Sequence, residues 1–103
     1  MTDKKVTVLA RFKAKPGMEE TVRREVMALV GPTRSEAGCI NYDLHQAAGD
    51  PSVLMLYENW VSKQSLDQHL AMPYLEAFKS KADTLLAEPL QITLWEMITE
   101  PSH

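Results

Sequence analysis

Hydrophobic periodicity switches repeatedly between two residues and about 3.6 along this chain, and the order of the switches leaves few folds open. From Val6 to Ala14, the residues Val6, Val8, Ala10 and Phe12 alternate with Thr7, Leu9, Arg11 and Lys13, the pattern of a strand with one apolar face. Pro16-Gly17 breaks this run. Met18, Val22, Val26 and Leu29/Val30 then recur at helical spacing, with Glu19 and Glu20 where the helix dipole favours carboxylates, and the helix is expected to end near Gly31-Pro32. After the polar stretch Thr33 to Gly38, Cys39 to Gln46 alternates Ile40, Tyr42 and Leu44 with Asn41, Asp43 and His45. Ala48-Gly49-Asp50-Pro51-Ser52 has turn chemistry and Val53 to Trp60 is a second run of strand formers, so the two runs read as a hairpin. Within it, Val53-Leu54-Met55-Leu56-Tyr57 is apolar without alternation, which predicts cover on both faces.

Ser62 is placed to cap a helix carrying Leu66, His69 and Leu70 on one side. Pro73 allows a new helical start through Leu75, Phe78, Ala82, Leu85 and Leu86, so the second helical region is kinked or broken. Pro89 closes it, and Leu90 to Ile98 alternates as a fourth strand before a short tail, residues 99–103, that is expected to be mobile. Strand, helix, strand, strand, helix, strand is the α+β, ferredoxin-like βαββαβ order: a four-stranded antiparallel sheet with both helices on one face. The other face is left bare. An apolar bare sheet predicts a homodimer formed by sheet-to-sheet packing with two-fold symmetry.

At 103 residues the chain is expected to form a single domain, residues 1–103, with a core from about 5 to 98. With 45% hydrophobic and 24% charged residues it matches ordinary folded, soluble chains. The formal charge is -3 and the basic residues are scattered, which argues against nucleic acid as a partner. The lone Cys39 cannot form an internal disulfide, and no apolar leader precedes the first strand, so a cytoplasmic location is expected. No apolar stretch approaches the roughly twenty residues of a membrane span.

Alternation places Leu54, Leu56, Glu58 and Trp60 on one strand face, while Leu66, His69 and Leu70 share the inner side of the following helix. If those faces meet, Glu58 and His69 come within hydrogen-bonding reach beside Trp60. A carboxylate that orients an imidazole makes a general base, because the unperturbed histidine pKa is about 6.5. Each residue also has a structural reading. His69 can be a packed helix histidine, Glu58 can pair with Arg34 or Lys63, and Trp60 can be a core or dimer wall. Cys39 reads as a small buried strand residue, and His45 and His103 as solvent-facing. The spacing of His45, His69 and Glu58 fits no standard metal-ligand motif, and no cofactor motif accompanies them.

The series Pro32-Thr33-Arg34, Glu36-x-Gly38-Cys39-x-x-Tyr42, Glu58-x-Trp60-x-Ser62, His69 and Pro73-x-x-x-x-Phe78 resembles the antibiotic biosynthesis monooxygenase (ABM) domain family, from Val6 to about Ile98. The resemblance implies a dimeric α+β barrel of two ferredoxin-like sheets packed face to face. It also implies a choice of activities. The family includes cofactor-independent oxygenases of quinols and polycyclic phenols, isomerases of a small phosphorylated sugar-like signal, haem-degrading proteins and members without known activity. Trp60 matches the tryptophan of the haem-degrading branch. That branch's ligating histidine falls near Phe78 and Lys79, and its first-strand asparagine near Ala10 and Arg11, so two of its functional positions fail.

The leading expectation is therefore a cofactor-independent monooxygenase acting on quinol-type or polycyclic hydroxyaromatic substrates with O2. His69 and Glu58 would be the catalytic pair. Trp60, Tyr57, Tyr74 and Phe78 would enclose the ring, and Asn41, Asn59 or Arg34 would hold a carbonyl or phenolate oxygen. The alternatives are an isomerase using the same pair on a small hydroxyketone, and a non-catalytic ligand-binding or stress-response dimer. An apolar aromatic slot favours the first, a cationic cluster able to hold phosphate the second, and a collapsed core filled by Trp60 and Tyr74 the third.

Overall fold

A computed structural model describes residues 4–101, and the elements follow the expected order: β1 (Val6–Lys13), α1 (Glu19–Arg34), β2 (Cys39–Ala47), β3 (Asp50–Trp60), α2 (Lys63–Leu70), α3 (Pro73–Leu85) and β4 (Gln91–Trp95). The strands form one antiparallel sheet in the order β2-β3-β1-β4. That is the split βαβ arrangement, with β1 and β3 central and the helices on one side. Val8, Ala10 and Phe12 of β1 and Leu54, Leu56 and Trp60 of β3 pack against Val22, Val26 and Leu29 of α1, Leu66 of α2 and Leu75 and Phe78 of α3. Phe12 and Phe78 meet edge to face at 5.6 Å, which ties α3 to the sheet.

The chain turns from β1 into α1 through Gly17, whose φ of +86° lies in the left-handed region that glycine enters without strain. α1 does not stop at Gly31-Pro32 but runs through Pro32 to Arg34. Proline removes one donor to the preceding turn and leaves the residues after it free to stay helical, so near a helix end its cost is small. The extra residues matter, because they turn Thr33 into the core and carry Arg34 to the edge of β2.

β3 begins at Asp50, three residues before Val53, since the hairpin closes tightly over Gly49 (φ +79°) with Ala47 opposite Asp50. The run Val53 to Tyr57 is not covered on both faces. Leu54 and Leu56 are buried beneath the helices, but Met55 and Tyr57 are each 38% exposed on the opposite side. Uniform apolarity in a strand shows that neither face needs water, not that one chain supplies both covers. In β2 a register shift between Cys39 and Asn41 frees Ile40, which is 51% exposed, while Tyr42 and Leu44 keep the helix-side face. β4 ends at Trp95, opposite Thr7, because β1 begins at Val6 and offers little more backbone to pair. Of the expected tail, Ser102 and His103 lie outside the described residues. No helix among the described residues is long and apolar enough to cross a membrane.

Candidate functional site

The site begins with a close backbone approach. A Cβ built on Gly38 would lie 2.3 Å from Ser65 Cβ and 2.2 Å from its Oγ, so only glycine lets the 35–38 loop rest against the start of α2. The Val61 N–H donates to the Gly38 carbonyl at 2.9 Å, and the Cys39 N–H donates to the Glu36 carbonyl at 3.0 Å. Ser62 caps α2, its Oγ accepting from the Ser65 N–H at 3.1 Å. The loop and the helix start are thus fixed to each other, which brings Glu36 beneath α2.

There Glu36 meets His69. The His69 Nδ1 lies 2.9 Å from Glu36 Oε2, and the Tyr74 hydroxyl donates to the same oxygen. An ionised Glu36 accepts from both, so Nδ1 carries the imidazole proton and Nε2 keeps its lone pair. The hydrogen bond that fixes the ring is therefore made through Nδ1, and Nε2 is left as the acceptor. Burial holds the His69 pKa below 6.5 although Glu36 works against that shift, so the ring is neutral near pH 7. Burial, and then the Glu36 carboxylate, push the Tyr74 hydroxyl up to about 12.

Glu58 occupies the same interior by a different route. Strand register sets it between Val8 of β1 and Tyr42 of β2, on the helix side of the sheet. It is 4% exposed, and its Oε1 accepts from the Trp60 indole N–H at 2.9 Å. Removal from water raises its pKa to about 7; the indole bond opposes this and the Glu36 charge adds to it. Trp60 lies against His69, ring centroids 4.5 Å apart and tilted by 32°. Tyr42 packs edge-on to both rings, at 6.5 and 5.4 Å. Burial raises the Tyr42 hydroxyl as well. The Thr33 hydroxyl, fully buried near the Tyr42 and Tyr74 hydroxyls, lacks a hydrogen bond of proper geometry.

Glu58, His69 and Tyr42 border a cavity of about 20 Å³ that is also lined by Val8, Leu56, Phe78 and Leu70, with Leu90 and Ile92 at its β4 side. That volume holds a water molecule and no more. The helices do not cover β4, whose inward-facing Ile92 and Leu94 are 36% and 47% exposed, so this side is the shortest way out.

The predicted residues divide into two groups. His69, Glu58 and Phe78 line the cavity, whereas Trp60 and Tyr74 do not but sit behind it against His69 and Glu36. Glu58 and His69 are not hydrogen-bonded to each other: Glu36 holds His69 and Trp60 holds Glu58. Glu58 pairs with neither Arg34 nor Lys63; Lys63 pairs with Asp67 within α2. Tyr57, Asn59 and Asn41 lie on the opposite side of the sheet, because β3 and β2 alternate. Arg34 reaches around the β2 edge, its Nε donating to the Tyr42 carbonyl at 3.1 Å and its guanidinium pairing with Asp43 at 2.9 Å. None of these four lines the cavity. Glu36 had no predicted role. Its signal was Gly38 two residues on, a glycine where no turn pattern asks for one. Among the described residues no group of three or more His, Cys, Asp or Glu is placed to hold a metal ion.

Residues 5–81 match the family model described as "Antibiotic biosynthesis monooxygenase". The chain is 34% identical over 97 residues to "Putative monooxygenase Rv0793" of Mycobacterium tuberculosis, covering 94% of this chain and 95% of that protein. The crystal structure of PA3566 from Pseudomonas aeruginosa superposes with a TM-score of 0.90 at 31% identity, covering 96% of this chain and 99% of that one. The Rv0793 structure superposes with a TM-score of 0.89 at 32% identity, over 96% and 100% of the two chains.

Proposed function

The chain belongs to the antibiotic biosynthesis monooxygenase family, and from that premise we propose that it is a cofactor-independent monooxygenase of quinol or polycyclic hydroxyaromatic substrates. The observation that carries this reading is the neutral His69, anchored through Nδ1 by Glu36 and offering Nε2 beside an apolar, aromatic cavity. An imidazole held in this way abstracts a phenolic proton near neutral pH. The resulting anion is electron-rich enough to reduce O2 by one electron, so the substrate supplies its own reducing equivalents. Phe78 and Tyr42 give the cavity its aromatic surface, Trp60 backs His69 from behind, and the apolar walls keep water from the reactive anion.

A fused-ring substrate needs far more room than the present cavity. Binding therefore opens the β4 side, where Ile92 is partly exposed and Leu90 only partly buried. The chain acts as a homodimer in this reading, its outer sheet face of Leu9, Met55 and Tyr57 covered by a second copy. Phosphorylated substrates fit poorly, because no Lys or Arg lines the cavity. The small size of the cavity is the one observation favouring a non-catalytic ligand-binding dimer instead.

Oxygen uptake on freshly reduced naphthoquinols and hydroxyanthracenes separates the two. The wild-type protein should consume O2 above autoxidation and yield an oxygenated product by mass spectrometry. His69→Ala should lower the rate by about a hundred-fold or more, the usual worth of a positioned base. Uptake no faster than with heat-denatured protein, across the whole panel, would remove the monooxygenase reading.

A further inference from the structure

Glu58 has no part in the proton abstraction just described, yet its carboxyl is almost wholly buried. A carboxyl with 4% exposure, no cation beside it and one indole donor is poorly paid for as an ion. We propose that Glu58 is the proton donor of the second half of the reaction, delivering a proton to the departing oxygen when a substrate hydroperoxide in the cavity collapses to a carbonyl and water. This rests on the monooxygenase reading and narrows its substrate class to hydroxyaromatics that carry a hydrogen on a ring carbon ortho or para to the hydroxyl.

The geometry supports the role in three ways. Glu58 and His69 border one cavity and are held by separate partners, Trp60 and Glu36, so a proton donor and a proton acceptor face the same space without neutralising each other. Oε1 accepts the Trp60 N–H, which leaves Oε2 to carry the acid proton of the neutral form. The same indole N–H then stabilises the carboxylate left after transfer. The other buried hydroxyls are less suited. Tyr74 is committed to Glu36, and burial makes Tyr42 a weaker acid than an ordinary phenol.

The steps balance. His69 Nε2 takes the phenolic proton, the anion passes one electron to O2, and the two radicals join to form a carbon–oxygen bond at the ring carbon. The imidazolium returns its proton to the peroxide, giving a neutral hydroperoxide. His69 then removes the hydrogen from the carbon bearing it, that electron pair forms the C=O bond, and the O–O bond breaks. The leaving oxygen takes the Glu58 proton and departs as water. Proton transfer from the imidazolium to the Glu58 carboxylate restores both groups. The substrate has lost two hydrogens and gained one oxygen, and the second oxygen of O2 has become water.

The test compares O2 consumed with carbonyl product formed, using 1-naphthol and a hydroxyanthracene, in wild type, Glu58→Gln and Glu58→Asp. Glutamine keeps an acceptor for Trp60 but has no acidic proton. Glu58→Gln should still consume O2, while carbonyl formed per O2 falls by about a hundred-fold and a hydroperoxide accumulates. Glu58→Asp should recover part of the carbonyl yield. Wild type should shift from carbonyl toward hydroperoxide as pH rises through about 7, where Glu58 loses its proton with Glu36, His69 and Tyr42 as the titratable groups facing it. If glutamine fails to fold, judged by circular dichroism, the aspartate variant and the wild-type pH profile carry the test. An unchanged carbonyl yield per O2 in Glu58→Gln, or in wild type across that pH range, would overturn the role of Glu58 while leaving the monooxygenase standing. Absence of any wild-type uptake would overturn both.

Discussion

The two faces of the sheet both carry polar groups, but they treat them in opposite ways. Toward the helices, Glu58 and His69 are ionisable and buried, and the half-buried Glu36 reaches in to hold His69. On the outer face a row of hydrogen bonds runs across three strands. Thr7 donates to Asn59 at 2.5 Å, Asn59 to Asn41 at 2.9 Å and Asn41 to Asp43 at 3.1 Å, where Arg34 closes the row with an exposed ion pair. Amides and hydroxyls carry no charge to bury, and a surface ion pair contributes about 1 kcal/mol at most. Adjacent residues of β3, Glu58 and Asn59, thus serve different ends. The inner face uses burial to shift acidity, and the outer face uses neutral pairing to make a flat surface that another sheet can meet.

The sharpest way to break this contrast is to truncate one aromatic on each face. Trp60→Ala removes a fully buried ring that touches His69 and holds Glu58, and should cost about 4 kcal/mol in urea unfolding. Tyr57→Ala, half exposed in the single chain, should cost under about 1 kcal/mol at low protein concentration. Its larger effect should appear as a weakened self-association by analytical ultracentrifugation. Equal losses for the two would mean that the faces are not energetically distinct.

A second prediction uses pH. Folding raises the Glu58 pKa from 4.5 to about 7, so the folded state holds a proton that the unfolded state releases between those values. Stability from this group is full below 4.5 and is lost as pH rises through 7, by about 3 kcal/mol in all. His69 has the opposite sign: its pKa is lowered on folding, so its contribution is lost as pH falls below 6.5. The difference in unfolding free energy between wild type and Glu58→Gln isolates the glutamate term. That difference should change by about 3 kcal/mol between pH 4.5 and 8, and a flat difference would show Glu58 to be ionised throughout.

A third effect is expected at Gly38. A methyl there meets Ser65 Cβ at 2.3 Å, and since that atom is fixed to the backbone of α2, loop and helix must part. Gly38→Ala should cost about 2 kcal/mol by chemical denaturation, in the range of ordinary overpacking. Gly38→Ala combined with Ser65→Gly should recover most of it. Failure of that rescue would place the strain elsewhere than between the loop and α2.

Strands, helices and their order were legible because each element repeats one requirement, an apolar face, every second or every third to fourth residue. Val6 to Phe12 and Val22 to Leu29 needed no tertiary information. Ser62 was legible as a cap, and Pro73 as a helix start, because capping is settled within one turn of chain. His69, Glu58 and Trp60 could be assigned to facing surfaces from periodicity alone. Their partners could not. Periodicity says which side of an element a residue takes, but not how far along a neighbouring element it falls, and the height of α2 over β3 depends on the loop at Gly38.

What the residues determine on their own is therefore the α+β topology, the apolar face of β1 and the presence of a carboxyl, an imidazole and an indole on the inner side. The tertiary structure decided the rest: that Glu36 rather than Glu58 holds His69, and that Asn41, Asn59, Tyr57 and Arg34 serve the other face or its edge. It also decided that burial raises the Glu58 pKa to about 7. Local pattern is set by interactions within a few residues, whereas hydrogen-bond choice and desolvation depend on distances across elements, and only packing sets those.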